Sequence, residues 1–424
     1  MERYAAVLLY AIPFFMLLLI IERVVAGSMG AKVIKGMDTL SSLSSGITNV
    51  IKDVLGLTLV IVSYRWFYEH FGLFDIESEW YVYVIAFIGL DFAGYWNHRL
   101  SHQVNYFWNV HVIHHSSEEF NLACALRQSI SSIFGTLVFF LIPTAVIGVP
   151  SEVIAVVAPL HLFAQYWYHT RLINKMGFLE KIIVTPSHHR VHHAINDEYL
   201  DKNMSQIFIV WDKLFGTFQE ELDNIPPVYG VKKASRTWNP ILINFQHLYL
   251  LIQDAYRTKS WKDRFRIWFM PTGWRPADVK EKYPIDIIED VYIYRKYAPL
   301  LGSLASTWCW IQGICTFLLM MYMFINFGKI GTPGVYAIGA LIYISVFNYS
   351  TLMDKHRFAW LTAFIYSFAG IGIILYTGDF FYISEFNTQA PNALLVYFAA
   401  SFLISLVVIR REAEKKVIMT VLRN

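Results

Sequence analysis

Charged residues are scarce in this chain. Asp, Glu, Lys and Arg together make up 16% of the 424 residues, whereas 56% are hydrophobic and 17% are aromatic. Soluble domains carry about 25% charged residues, so the composition argues against an ordinary soluble protein and favours one that lies in a membrane. The net charge is only +3, and no basic stripe accompanies a known nucleic-acid motif. We therefore expect no nucleic-acid partner.

Cysteine is also rare. Cys124, Cys309 and Cys315 lie mostly in apolar stretches without paired spacing, which favours small buried hydrophobic side chains. This pattern gives no support to a disulfide framework or to a cysteine-based metal site. The chain also has no internal repeat and no Gly/Ser linker.

Long apolar runs are abundant instead. A bilayer core about 30 Å thick needs roughly 20 apolar residues per helix. The sequence therefore predicts an all-α, polytopic integral membrane protein with about nine transmembrane helices. Ala5–Ala26 is interpreted as a retained first span, because no cleavage motif of a signal peptide follows it. The predicted spans are 5–25, 47–68, 80–98, 130–149, 151–169, 300–326, 334–350, 358–376 and 391–409.

The distribution of Lys and Arg predicts the orientation of these spans. Basic residues concentrate in the connections 27–46, 99–129, 170–299, 351–357 and 410–424, whereas the opposite connections offer only Lys329. We expect the basic connections to face the cytoplasm, with the N-terminus outside. The expected location is the endoplasmic reticulum membrane in a eukaryote, or the inner (plasma) membrane in a bacterium.

Three regions follow from this pattern. Residues 1–97 form N-terminal membrane helices, 98–299 form a catalytic region with a membrane hairpin and a cytoplasmic cap, and 300–424 form C-terminal membrane helices. The hairpin spans 129–168, with turn residues near its middle. Because the chain crosses and returns, the segments before and after the hairpin lie on the same side of the membrane.

Histidines in three motifs border this hairpin. Their spacings are HxxxH, HxxHH and HxxHH, and on a helix the positions i, i+3 and i+4 share one face. Neutral imidazole is a ligand for iron, zinc, copper and nickel, so the motifs predict a metal centre. The candidate ligands are His98, His102, His111, His114, His115, His189, His192 and His193.

Polar residues also recur every four positions on the returning arm of the hairpin, at His161, Gln165 and His169. We predict that His169 is a ninth ligand and that His161 lines a pocket. The alternative for both is a hydrogen bond to a neighbouring helix. His188 extends the third motif but falls outside its spacing, and it is interpreted as a neighbour of the ligands.

Eight or nine imidazoles exceed what one ion needs, so two metal ions are expected. Zinc sites usually close with four ligands. Two ions that keep open positions suit redox-active iron better, because iron can bind O2 there. A membrane bundle would supply the apolar, water-excluding wall that such oxidation chemistry requires.

Several segments carry a resemblance to a known family. They are DFAGYWNHRLSH at Asp91, HHSSEEFNLACALRQS at His114, TPSHHRVHHAIN at Thr185 and DKNMSQIFIVWDKLFGTF at Asp201. With these segments the chain resembles the fatty acid hydroxylase/sterol desaturase superfamily of membrane di-iron enzymes. Within it, the chain is most similar to the alkylglycerol monooxygenase subfamily. The likeness is dense over residues 80–220.

The resemblance implies two Fe ions bound by the candidate histidines, O2 as co-substrate, and a lipid substrate that enters from the bilayer. It also implies hydroxylation of the ether-adjacent carbon of an alkylglycerol, which collapses to a fatty aldehyde and a glycerol derivative. Tetrahydrobiopterin would be the electron donor, with a redox protein as the alternative. The subfamily has Glu at the position of Gln103. Of the properties that the resemblance implies, pterin binding is the one that depends on this residue.

Polar residues near the motifs are candidates to orient the ligand rings. Of these we select Asp91, which lies two helical turns before His98, and Asn203. Asn97, Glu118, Asn121, Asp201 and Asp212 are more often caps or surface groups. Arg127 and Gln128 open the hairpin, where an interfacial anchor is favoured over a headgroup contact.

Two alternative functions remain. Another lipid hydroxylase or desaturase of the same superfamily, acting on a sterol, fatty acid, sphingolipid or bacterial lipid, would use the same histidines. A metal transporter would place ligands near the bilayer midplane, which the polar setting of these motifs disfavours. The aromatic and basic stretch Tyr256–Trp274 predicts an interfacial amphipathic segment or a soluble cap over the site, and both can hold.

Overall fold

The computed structural model describes residues 2–58, 62–74, 76–132 and 136–421. Over these ranges the chain is all-helical, which confirms the predicted class. No β-strand forms in them. Three isolated bridges join Val104 to Pro271, Ile183 to Phe208, and Ala194 to Tyr229.

The N-terminal part contains α1 (Glu2–Ser28), α2 (Gly36–Val54), α3 (Tyr64–Phe71) and α4 (Trp80–Gln103). The predicted span 47–68 is not a single helix, because α2 ends at Val54 and Gly56 takes a left-handed conformation with φ of 63°. Residues 59–61 of that span lie outside the described residues. Helix α4 continues past the predicted end at 98 and includes His102.

The catalytic region is built from short helices. They are α5 (Asn105–His115), a 3-10 turn (Cys124–Leu126), α6 (Leu137–Phe140), α7 (Ile142–Ile147), α8 (Ser151–Phe163), a second 3-10 turn (Gly177–Lys181), α9 (Pro186–His192) and α10 (Val210–Phe215). The predicted turn of the hairpin is present at Gly148, with φ of 96°. A Cβ there would lie 1.9 Å from the carbonyl oxygen of Phe74, so only glycine fits. Residues 133–135 of the predicted span 130–149 lie outside the described residues.

The remaining helices form a cap and a C-terminal bundle. The cap contains α11 (Pro240–Arg257), α12 (Trp261–Arg266) and α13 (Ala277–Lys282). The bundle contains α14 (Ser303–Ile325), α15 (Phe327–Met353), α16 (Ala359–Thr377), α17 (Ile383–Phe386) and α18 (Ala390–Val421).

Within the described ranges, five helices are long and apolar enough to cross a membrane: α1, α14, α15, α16 and α18. They coincide with five of the nine predicted spans. Helix α15 is longer than the predicted 334–350 and kinks at Gly331, where φ is 70°. The other four predicted spans correspond to shorter or more polar helices among the described residues, so the count of nine stays a prediction.

Two apolar clusters position the histidine motifs. One contains Ile51 and Val54 of α2 with Cys309 of α14 and Ile338 of α15, and so ties the N-terminal region to the bundle. The other joins Val82, Ala86 and Leu90 of α4 to Val153 and Val157 of α8. Packing of α4 against α8 brings the end of α4 close to His169. Cys124 is buried like Cys309, as expected for small hydrophobic residues.

Candidate metal centre

A break between α4 and α5 turns the first two motifs toward each other. His98 and His102 lie one turn apart at the end of α4, and Val104 then takes an extended conformation with φ of −122° and ψ of 126°. Asn105 opens α5 as a fully buried residue, and its Nδ2 donates to the carbonyls of Ile267 and Trp274, each at 3.0 Å. The turn is therefore held by the cap.

The third motif lies on the seven-residue helix α9. Thr185 is its N-cap, Pro186 occupies the first turn, and the side chain of His188 completes a capping box with the backbone of Thr185. This local arrangement turns His189, His192 and His193 to the interior. His188 is used as a cap, in agreement with its interpretation as a neighbour of the ligands.

Nine histidines converge in two groups. In each group one nitrogen from every ring lies within 4.8 Å of the others. These are the nine candidate ligands, including His169, and the described residues contain no other such group. The first group is His98, His102, His111, His115 and His192, and the second is His114, His169, His189 and His193.

Each HxxHH motif contributes to both groups. On α5 the positions i and i+4, His111 and His115, belong to the first group, and His114 belongs to the second. On α9 the assignment is reversed, with His189 and His193 in the second group and His192 in the first. At 100° per residue, i and i+4 point nearly the same way while i+3 points to one side. The spacing therefore allows one helix to serve two adjacent centres, and the rings of His115 and His193 stack at 4.3 Å across the boundary.

The converging atoms are the Nε2 nitrogens. In the first group the Nε2 atoms of His98 and His111 are 2.9 Å apart, and His115 Nε2 lies 3.0 Å from that of His111. In the second group His189 Nε2 is 2.8 Å from that of His169 and 3.0 Å from that of His193. Two nitrogens that bind one ion at about 2.1 Å and at right angles are about 3.0 Å apart. The spacing thus fits metal coordination.

The opposite ring nitrogens show which tautomers are present. Nδ1 of His98 donates to the carbonyl of Met204 at 2.7 Å, Nδ1 of His192 to that of Lys202 at 2.9 Å, and Nδ1 of His169 to that of Tyr166 at 3.2 Å. A neutral imidazole that donates through Nδ1 carries a lone pair at Nε2. Nε2 of His192 is buried and has no hydrogen-bond partner among the residues that the structure describes. Such unpaired acceptors facing one another fit a bound cation.

Burial favours the neutral form of six of these imidazoles. It lowers the pKa of His114 to about 3, and it lowers the pKa values of His111, His115, His189, His192 and His193 well below the ordinary value, with repulsion between neighbouring rings adding to the effect. Metal ligands must be unprotonated. The site is therefore prepared for metal binding at neutral pH.

The loop 201–204 orients three rings of the first group. Besides the carbonyls of Lys202 and Met204, the carboxylate of Asp201 lies 3.4 Å from Nδ1 of His102. Fully buried Asp212 holds this loop, accepting from the backbone N–H of Met204 at 2.7 Å and of Ser205 at 2.9 Å. Asp212 could not be selected from the sequence, because it acts on the rings indirectly. The groups that contact His98 and His192 are backbone carbonyls of the loop, and residue types do not show where such carbonyls lie.

Asp91 and Asn203, the two residues selected from the sequence, act at a distance from the rings. Asn203 contacts none of the nine imidazoles in the structure. Its amide donates to the carbonyls of His188 at 3.1 Å and Gln219 at 2.8 Å, so it braces the loop rather than a ligand. Asp91 accepts from the backbone of Ile207 and Phe208 and from His161 Nε2 at 2.9 Å. His161 is thus paired between helices instead of lining a pocket.

Asp212→Asn is expected to weaken metal binding in the first group by about 10- to 100-fold. The amide nitrogen cannot accept a hydrogen bond, so a buried donor of the loop loses its partner, at a cost of about 1–3 kcal/mol, and the Met204 carbonyl shifts away from His98. Titration of the metal-free protein with Co²⁺, followed by visible absorption, measures the change. Asp223→Asn is the control because Asp223 is exposed. Unchanged affinity in Asp212→Asn would contradict the role of the loop.

Comparison with known proteins addresses the family. The fatty acid hydroxylase family model matches residues 83–217, which include all nine histidines. The alkylglycerol monooxygenase of Xenopus tropicalis is 33% identical over 318 residues, which cover 74% of this chain and 69% of the frog protein. The chain belongs to the fatty acid hydroxylase family, with the alkylglycerol monooxygenases. No solved structure matches it.

Other relatives define the extent of the likeness. The human alkylglycerol monooxygenase is 39% identical over 270 residues, covering 63% of this chain but only 60% of the human protein. A more distant relative, the ornithine lipid hydroxylase OlsE of Rhizobium tropici, is 27% identical over 135 residues, covering 32% of this chain and 41% of that protein. The likeness to the hydroxylase family therefore covers all nine histidines, whereas it extends over only part of the relatives' length.

Arg127 differs from the expectation of an interfacial anchor. It is 1% exposed, and its guanidinium donates to Asp38 Oδ1 at 2.8 Å, Ser116 Oγ at 2.8 Å and Ser42 Oγ at 3.0 Å. Its own carbonyl accepts from Nδ1 of His114 at 3.3 Å. The anchor interpretation was wrong because the acidic partner on α2 is distant in sequence. Arg127 instead links α2 to the second group of histidines.

A cavity of about 330 Å³ adjoins the first group of this hydroxylase centre. His102, His115 and His192 form one of its walls, and Trp108, Trp274 and residues of α11 lie around it. Lys232 and Lys233 also line it. Gln103 has an exposed side chain, and its carbonyl accepts from the backbone of Thr272 in the cavity wall. The cavity thus combines apolar surface and cations beside the histidines of the first group.

Proposed function

We propose that the chain is a membrane di-iron monooxygenase that inserts one oxygen atom of O2 into a lipid C–H bond, at the ether-adjacent carbon of an alkylglycerol. The resulting hemiacetal collapses to a fatty aldehyde and a glycerol derivative. The observation that carries the proposal is the convergence of nine imidazoles into two adjacent groups, with their Nε2 atoms facing one another. Two iron ions held there would supply the activation of O2.

The residues of the chain would bind and orient the groups that react. His98, His102, His111, His115 and His192 would hold one ion, and His114, His169, His189 and His193 the other. The carbonyls of Met204, Lys202 and Tyr166 fix ring orientation. Asp91 and Asn203 support this arrangement through the loops they hold, rather than by contact with substrate.

The cavity beside the first group is the proposed place of the reacting carbon. Its wall of His102, His115 and His192 would face the ether carbon, while Trp108 and Val112 exclude water. The amino groups of Lys232 and Lys233 would contact polar oxygen atoms of the glycerol end. Lys232 is paired with Asp197 at 2.7 Å, whereas burial lowers the pKa of Lys233, which eases its contact with a neutral hydroxyl.

Electrons must come from outside the chain, since hydroxylation by O2 consumes two electrons and two protons to release water. We propose tetrahydrobiopterin as the donor and a redox protein as its alternative, because Gln103 replaces the expected Glu next to His102. The proposed setting is a nine-span protein with the site on the cytoplasmic side, in the endoplasmic reticulum or the bacterial inner membrane. The concentration of basic residues in the site-bearing connections supports this orientation.

The test is product analysis in membranes that contain the protein. Membranes supplied with an alkylglycerol and O2 should release the fatty aldehyde that matches the alkyl chain, and reduced tetrahydrobiopterin should stimulate the release. The acylglycerol of equal chain length is the control, because it has no ether-adjacent methylene. Absence of aldehyde with either donor, together with hydroxylation of a fatty acid, sterol or ornithine lipid, would overturn the substrate assignment and favour another hydroxylase of the family.

A further inference from the structure

The cap helix α11 presents a continuous apolar stripe on its outer face. Five exposed side chains follow one another at spacings of three and four residues, which places them on one side of a helix. The stripe continues on α12 and the turn after it with Trp261, Phe265 and Phe269. Tyr256 is 85% exposed and Phe269 is 77% exposed. The α11 members of the stripe are Leu242, Phe245, Tyr249, Ile252 and Tyr256.

The opposite face of α11 belongs to the site. Gln246, His247, Leu250 and Leu251 line the cavity whose other wall contains the histidines of the first group. Nε2 of His247 also bonds to the carbonyl of Asn105, at the start of α5, at 3.2 Å. One helix, about 10 Å across, therefore separates the exposed stripe from the cavity.

Cations flank the stripe. Lys259 and Lys262 are exposed beside it, and the guanidinium of Arg264 lies over the ring of Trp261 at 4.4 Å. Aromatic rings mixed with Lys and Arg are typical of helices that lie in the boundary between lipid headgroups and acyl chains. A soluble surface rarely exposes so large an apolar patch, and five helices of the same chain are suited to cross a bilayer.

We propose that the stripe on α11 and α12 is inserted into the headgroup boundary of the bilayer, so that α11 is the wall between the membrane surface and the cavity. A lipid held at this boundary then needs to pass only the edge of α11 to reach the histidines. The idea that this surface delivers substrate rests on the proposed function. The insertion itself does not.

Spin labelling of the full chain tests the insertion. Labels at Tyr249→Cys, Tyr256→Cys and Phe265→Cys, in a Cys315→Ala background, are compared with a label at Asp223→Cys. Cys124 and Cys309 are buried, and Asp223 is exposed to water in a different loop. The protein is reconstituted in nanodiscs of phosphatidylcholine with a minor share of phosphatidylglycerol.

In the stripe, collisions with O2 should exceed collisions with a water-soluble nickel chelate, and the label at 223 should show the reverse. Stripe labels as accessible to nickel as the label at 223 would overturn the proposal. Labels protected from both reagents would also overturn it, because the stripe would then be covered by a second copy of the chain. The readout is independent of turnover. Membrane insertion without aldehyde release from alkylglycerols would refute only the proposed function.

Discussion

His189→Ala should abolish lipid oxidation and remove about one of two iron ions per chain. The second group contains only four histidines, and His189 is central in it, with its Nε2 2.8 Å from that of His169 and 3.0 Å from that of His193. Three remaining imidazoles would leave an incomplete site. The first group would keep all five of its members, so one ion should remain bound.

Iron analysis of the purified protein, together with aldehyde release, measures this effect. His70→Ala is the matched control, because His70 is an exposed histidine on α3. Its one hydrogen bond within the described part of the chain is to the carbonyl of Trp66, in its own helix. That variant should keep both ions and full turnover. A His189→Ala protein with an unchanged iron content would show that the two groups do not hold separate ions.

The histidines could be predicted from the sequence because spacing on a helix decides which rings point together. HxxxH and HxxHH identified eight members, and a four-residue polar stripe on an apolar arm identified His169. The division into two groups was not predictable, since it depends on how α5 and α9 face each other. The same limit applies to Asp212, which accepts from the backbone N–H groups of Met204 and Ser205, and to Arg127, whose acidic partner Asp38 lies on the distant helix α2.

The membrane helices were predictable where apolar runs are long and uninterrupted, as in α1, α14, α16 and α18. The predicted spans 47–68 and 130–149 are not single helices, because the chain breaks there for a local reason. Span 47–68 contains the left-handed Gly56, and span 130–149 contains the short helices α6 and α7. Hydropathy averages over such breaks, because the apolar side chains on either side of a turn are still buried. Those of α2 pack against α14 and α15, and those of α6 and α7 pack against α4.

Arg127→Met should destabilise the protein by about 3–5 kcal/mol, because it leaves the carboxylate of Asp38 buried without its cation. The pKa of Asp38 is already raised by burial, despite the opposing charge of Arg127. Without the guanidinium, Ser117 Oγ, at 2.8 Å, is the remaining side-chain donor to Asp38 among the described residues. The freed segment also carries the carbonyl that orients His114, so metal binding in the second group should weaken as well.

The double variant Asp38→Asn/Arg127→Met separates the charge effect from the loss of packing. Removing both charges should restore most of the stability, because neither buried charge is then left alone. Thermal unfolding in detergent gives the Tm, and Co²⁺ titration gives the metal affinity. Asp38 and Ser42 lie outside the region 83–217 that the hydroxylase family model matches. A loss of metal affinity in Arg127→Met would therefore show that α2 supports the second group of histidines through Arg127. Equal Tm values for Arg127→Met and the unmodified protein would contradict that coupling.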